Sequence, residues 1–299
     1  MHRIGFRTAG FAAWPIERAL RALREIGYNC VELCLEHPET QPADMTAARC
    51  RDLAALLGEL GLGLSSVSYH GDGRPAEERA ENSLLGVEVA ERLDCPILVV
   101  NTMRCEPGRG DEQTQAAIDL TRRLLSHSQK RVTLAFEPEP GLVISSVEDM
   151  MEFWISVGAP RLDLNDRKML MGERKLTPSE AAAQRVAVNL DIGHAHITEP
   201  SVVAAVERLG AMIVHTHIED VAGKVHKHLV LGAGELDFAA VRAALDRSSY
   251  RGDYVVDMFA LGDDPAATAQ RCYEAMRRWF GWHIGLVADE RLWPDVFTR

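Results

Sequence analysis

Four short runs carry acid and imidazole groups just where apolar sequence stops. Ala135-Phe136-Glu137-Pro138-Glu139-Pro140 closes one run and Asn189-Leu190-Asp191-Ile192-Gly193-His194-Ala195-His196 a second. His215-Thr216-His217-Ile218-Glu219-Asp220 closes a third and Val255-Val256-Asp257-Met258 a fourth. Carboxylate, carboxylate, imidazole, carboxylate is a hard-to-borderline donor set. It suits Mn2+, Mg2+, Co2+ or Zn2+ better than a thiolate metal. Six of the eleven histidines lie between His194 and His228, where even scattering would put about one.

The residues differ in what they offer. Glu137 ends a run of Val, Leu, Ala and Phe, where an unpartnered carboxylate is costly, and Asp191 ends a similar one. His215 and His217 alternate on one strand and point to the same side. His217, nearer the carboxyl end, is the expected ligand. His215 is either a ligand or a residue one layer deeper, bonded to a carboxylate or backbone. Asp257 is the candidate fourth ligand. His194, three residues past Asp191, is expected in the loop above the metal, binding a substrate hydroxyl or moving a proton. His70 and Asn101 end the third and fourth strands as candidate pocket walls. Glu32 and Glu36 are weaker candidates, and Glu139 reads as an exposed loop carboxylate outranked by Glu137.

Eight strand-like runs position these groups: Arg3–Phe6, Cys30–Leu35, Leu64–Tyr69, Pro96–Asn101, Val132–Glu137, Val186–Asp191, Met212–Ile218 and Tyr254–Phe259. Most are continuously apolar, as buried parallel strands are. Amphipathic segments lie between them, among them Ala43–Leu60, Glu77–Leu93, Glu112–Gln129 and Phe238–Ser248. Ser146 with Asp149 reads as a helix cap, Pro265 as a helix start, and Gly27, Gly61 and Gly210 as helix ends. Eight βα repeats predict a single (β/α)8 barrel over residues 1–278, whose function sits at the carboxyl ends of its strands. An open doubly wound sheet would carry a Gly-rich phosphate loop after the first strand, and Phe6-Arg7-Thr8-Ala9-Gly10-Phe11 is not one. A polar excess near 161–183 is expected on the face opposite the site. Residues 279–299, with Trp279, Trp282 and Trp293, read as a C-terminal extension packing on the barrel or a neighbouring subunit.

Composition narrows the partners. Thirty-three Lys+Arg against 44 Asp+Glu give a net charge of −11, with no basic run for a nucleic-acid backbone. No apolar stretch is long enough for a membrane span, and the first residues lack the apolar core of a secretion signal. Six scattered cysteines without a C-x-x-C pair suit a reducing cytoplasm.

Taken in order, several segments resemble the xylose-isomerase-like TIM-barrel superfamily, the sugar phosphate isomerase/epimerase or AP endonuclease family 2 group. The segments are Gly-Tyr-Asn-Cys-Val-Glu-Leu (27–33), Phe-Glu-Pro (136–138), Asp-Ile-Gly-His (191–194) and His-Thr-His-Ile-Glu-Asp (215–220). Leu-Gly-Ala-Gly-Glu-Leu-Asp-Phe (231–238) and Tyr-Arg-Gly-Asp-Tyr-Val-Val-Asp (250–257) complete them. The resemblance implies one divalent ion held by Glu137, Asp191, His217 and Asp257. It also implies proton abstraction beside a carbonyl, with Glu137 and Asp257 as bases. The chain departs from familiar members in three places. Asp257 replaces the usual Glu, Val143 stands where ketose 3-epimerases have a substrate-binding Glu, and Gly223, beside Lys224, stands where they have Arg. His226 and His228 stand nearby as substrate-binding residues, an alternative acid or base, or a further metal site.

The expected function is a metal-dependent sugar isomerase or epimerase acting on a free keto-sugar or polyol as a homodimer or homotetramer. A keto-sugar or cyclitol dehydratase or lyase uses the same first step. A phosphodiesterase resembling the endonuclease branch and a non-catalytic metabolite-binding barrel are the remaining alternatives.

Overall fold

The computed structural model describes residues 2–158, 178–259, 261 and 264–280. Eight parallel strands close a barrel in sequence order, β1 pairing with β8. They are β1 (Ile4–Arg7), β2 (Cys30–Cys34), β3 (Gly63–Ser68), β4 (Ile97–Val100), β5 (Thr133–Phe136), β6 (Val186–Asp191), β7 (Ile213–Ile218) and β8 (Tyr254–Val256). The helices outside are α1 (Ile16–Ile26), α2 (Ala47–Leu60), α3 (Ala76–Arg92), α4 (Gly110–His127), α5 (Val147–Val157), α6 (Pro178–Ala183), α7 (Ile192–Thr198), α8 (Val202–Leu209), α9 (Phe238–Arg247) and α10 (Pro265–Phe280). Among the described residues no helix is long and apolar enough to cross a membrane.

Local chemistry sets the element ends. Ser146 accepts from the Asp149 amide while the Asp149 carboxylate accepts from the Ser146 amide, a reciprocal cap on α5. Gly27 (φ 118°) and Gly61 (φ 64°) end α1 and α2 in left-handed conformations that a β-carbon disfavours. Leu20, Leu23 and Ile16 of α1 are buried with Phe6, Phe11 and Tyr28 between helices and barrel.

Most strands differ from their apolar runs by a residue at one end or both, and two of the differences bear on the site. The ladder carries β1 one residue further, to Arg7, which pairs with Glu32. β8 stops at Val256, so Asp257 and Phe259 lie beyond it. Trp279 and Phe280, assigned from the sequence to the C-terminal extension, form the last turn of α10, and Trp279 stacks on Phe238 at 4.4 Å. Residues 281–299 and most of the polar excess, 161–177, lie outside the described residues.

Register irregularities fall between Val31 and Glu32 and between Val188 and Asn189. Such bulges re-aim side chains beside sites. Here they precede a polar layer inside the barrel. Ser66 donates to Glu32 (2.6 Å), Ser66 and Asn189 flank the His215 ring (2.9 Å each), and Asn189 donates to Glu137 (3.0 Å). His215 is therefore the deeper residue, tied to Asn189 and two serines.

Candidate active site

Above that layer, Glu137, Asp191, His217 and Asp257 are buried and offer ligand atoms that all lie within 4.8 Å of one another. Each comes from the end of its strand: Glu137 follows β5, Asp191 ends β6 paired with His217 of β7, and Asp257 follows β8. The Nε2 of His217 lies 3.0 and 3.1 Å from the two oxygens of Glu32. A proton on Nε2 directed at Glu32 leaves the Nδ1 lone pair facing Glu137 (3.2 Å) and Asp257 (3.5 Å). Carboxylate-oriented imidazoles of this kind are typical metal ligands. His217 Nδ1 and Asp191 Oδ2 are buried without a hydrogen-bond partner, so the residues fit a divalent cation.

Buried charge governs the electrostatics. Burial drives Glu137 upward, but His217 and His70 overcome it and hold the carboxyl well below its usual range. Burial opposes charge on His217, yet Glu32, Glu137 and Asp257 raise the imidazole well above its ordinary value. Burial, with the charges of Glu219 and Glu137, pushes Asp191 far up. Burial likewise pushes Glu219 up to about 9 and His194 down to about 3.

A cavity of about 250 Å³ opens above these groups. Its wall includes His70, His194, His226, His228, Glu137 and Asp257, with Glu36, Asp72, Glu139 and Phe259 around them. His70 lies 3.3 Å from both Glu137 and Arg7. Asn101, expected in the wall, does not line this cavity. Its amide is spent on Arg79 (2.5 Å) and Glu139 (3.0 Å). Glu139 is correspondingly a partly buried wall group and not an exposed loop carboxylate. His194 is not in a loop. It sits in the first turn of α7, whose amides at 193 and 194 are capped by Asp191 (2.7 and 2.9 Å). Its Nδ1 lies 3.4 Å from Glu137 and its Nε2 2.8 Å from His226 Nε2.

His226 and His228 stand on a loop fastened by Asp220, whose carboxylate accepts from the amides of Val221, Gly232, Gly234 and Leu236. That accounts for the glycine-rich stretch following β7. Lys224 is drawn to the His196 and Glu199 carbonyls.

Sequence reasoning overlooked two groups. Arg7, 5% exposed, pairs with Glu32 (3.0 Å) and Asp257 (3.2 Å). Its signal was a cation directly after the apolar Ile4-Gly5-Phe6. Glu219 is fully buried, and its signal was the alternation 215, 217, 219 along β7, which continues one step past the strand end.

The model of the xylose isomerase-like TIM barrel family matches residues 20–165 and 179–279, and the chain belongs to that family. The L-ribulose 3-epimerase of Mesorhizobium japonicum is 24% identical over 277 residues, spanning 87% of this chain and 82% of its own. Among solved structures, a D-tagatose 3-epimerase-like protein superposes with a TM-score of 0.72 at 16% identity, covering 94% of this chain and 97% of its own. The IOLI protein, solved with a zinc atom, superposes at 0.69 and 16% identity, covering 93% and 99%.

Proposed function

We propose that the chain is a divalent-metal-dependent epimerase or isomerase of a free keto-sugar. The observation that carries this is the convergence of Glu137, Asp191, His217 and Asp257 beneath a small cavity whose lining includes histidines and carboxylates. These four residues would hold the ion, and Mn2+, Mg2+, Co2+ and Zn2+ all suit them. When bound, the ion supplies Lewis-acid polarisation of a carbonyl oxygen. The epimerase relatives support the reaction class, and the zinc in the IOLI structure supports the cofactor class.

The residues themselves move the proton. Glu137, kept ionised by His217 and His70, takes the proton from the carbon beside the carbonyl. His194 faces Glu137 and lines the cavity, where it binds a substrate hydroxyl or returns a proton. His70, His226 and His228 offer further bonds to hydroxyls. Glu36, Asp72 and Glu139 give the wall negative charge, which disfavours a phosphate or carboxylate on the substrate.

The test is hydrogen exchange from D2O into a panel of ketopentoses and ketohexoses, read by mass spectrometry with the metal-loaded protein. One deuterium per turnover and an epimeric product are expected, with at least a hundredfold loss in Glu137→Gln. No exchange with any ketose overturns the reading. Elimination is the second reading, favoured because Arg7 pins Asp257 and so restricts it as a second base. A product lighter by one water would select it.

A further inference from the structure

Asn101 follows β4 and ties together the loops that leave β3 and β5. Arg79 of α3 donates through Nη2 to the Asn101 carbonyl oxygen (2.8 Å) and to its Oδ1 (2.5 Å). Both side chains are buried. A guanidinium can only donate, so Oδ1 must face Arg79 and the Asn101 amide nitrogen must face away from it. That nitrogen donates to Glu139 Oε2 (3.0 Å) and lies 3.5 Å from Asp72 Oδ1. Asp72 and Glu139 both line the cavity. Asn101 thus stands behind the wall and sets how two of its carboxylates are presented.

The backbone holds the other end of Glu139. Its amide donates to the Ile144 carbonyl (3.1 Å) and its carbonyl accepts from Leu142 (3.1 Å), closing a turn in which Gly141 takes φ 86°. The Cys105 amide donates to Gly141 (2.9 Å), the Val143 amide to Met103 (2.9 Å) and the Ile144 amide to the Thr102 hydroxyl (2.9 Å). The turn is therefore laced to the loop after β4. Glu139 is fixed at its backbone and at Oε2, while Oε1 accepts no hydrogen bond among the described residues. An oriented carboxylate with one oxygen unspent at a cavity wall is an acceptor for an O–H group. The Arg79 charge behind Asn101 offsets one of the two carboxylates, which suits a neutral donor.

We propose that Glu139 is a specificity-determining residue that accepts a substrate hydroxyl through Oε1, and that Arg79 positions it through Asn101. This rests on the proposed ketose chemistry above Glu137 and adds to it a hydroxyl that the substrate must carry. The hydroxyl sits on a carbon other than the one Glu137 deprotonates. Its bond is equally strong in ground and transition states, so its loss shows in KM and leaves kcat nearly intact.

The experiment uses the metal-loaded full-length protein and the ketopentose and ketohexose panel. Calorimetry finds the ketose bound most tightly, and its monodeoxy analogues are then titrated. The parent is expected to bind at least one analogue tenfold or more weakly than the ketose. Glu139→Gln leaves Asn101 an acceptor but presents an N–H where Oε1 stood. It is expected to raise Kd and KM for the ketose at least tenfold, keep kcat within threefold, and lose the discrimination against that analogue. Asn101→Ala is expected to shift KM and discrimination in the same direction, by at least threefold. Should Glu139→Gln fail to fold by circular dichroism, Asn101→Ala decides, and unchanged discrimination there overturns the inference. Glu139→Gln binding ketose and analogues as the parent does overturns it too, and leaves the proposed function standing. A loss confined to kcat also overturns it. Binding of no ketose by the parent overturns both readings.

Discussion

Arg7 shows how one side chain can decide the behaviour of several others. Its guanidinium lies between Glu32 and Asp257 and reaches Glu36 at 3.7 Å. Removing it leaves two buried carboxylates with the His217 imidazole shared between them. Arg7→Met is expected to cost about 3–5 kcal/mol in urea denaturation of the metal-free protein, with metal restoring part of that loss. His217→Ala removes a proposed ligand whose other nitrogen is held by Glu32. It should abolish metal retention through gel filtration and lower turnover by at least a hundredfold. His215, one layer below, gives a pH signature. Burial pushes it down to about 4, so it stays neutral in the folded barrel while the unfolded chain protonates near 6.5. As pH falls from about 6.5 to 4 the unfolded state binds the extra proton, and stability is lost through that window. His215→Gln should flatten this part of the stability profile relative to the parent, as measured by denaturant midpoints at each pH.

At the scale of elements, what could be read from sequence was what periodicity and apolar runs encode. The eight strands, the reciprocal cap at Ser146 and the left-handed ends at Gly27 and Gly61 were legible because each follows from local chemistry. The four residues brought together below the cavity were legible as acids and imidazoles at strand ends. Arg7 was not, because an apolar run marks where apolar side chains stop, and here both the ladder and the burial continue one residue further. Helix α7 was not legible either. It spans seven residues, Ile192–Thr198, and takes its cap from Asp191, a residue already assigned to another task. Capping and the proposed ligation use different oxygens of that carboxylate: Oδ1 receives the amides and Oδ2 stays free. The strand, the helix and the site therefore share one residue. Gly193→Ala is expected to displace Glu219 and disturb this helix start, lowering the thermal midpoint by several degrees. Ser146→Ala, at a side chain that caps α5 and does not line the cavity, should cost about 1 kcal/mol without altering metal uptake.

The molecule as a whole carries a net charge of −11, and its cavity wall adds Glu36, Asp72 and Glu139. A neutral polyol approaches such a mouth without electrostatic penalty, whereas an anionic one is repelled. A phosphorylated ketose is expected to show kcat/KM at least tenfold below its free counterpart, with the gap narrowing as salt rises. The barrel meanwhile closes on itself through β1 and β8, and Arg3 with Asp253 (2.6 Å) ties those two strands at the end away from the cavity. The loop bearing His226 and His228 stands apart from that closed frame. It leaves and rejoins the barrel at almost one point, because Asp220 gathers amides from both of its ends. Changes between 222 and 228, short of the Asp220–Leu229 bridge, are therefore expected to alter the lining of the mouth while the anchored stem and the strands beneath keep their places. Such a loop is built like a cassette, in which substrate contacts can change without refolding the barrel that carries it.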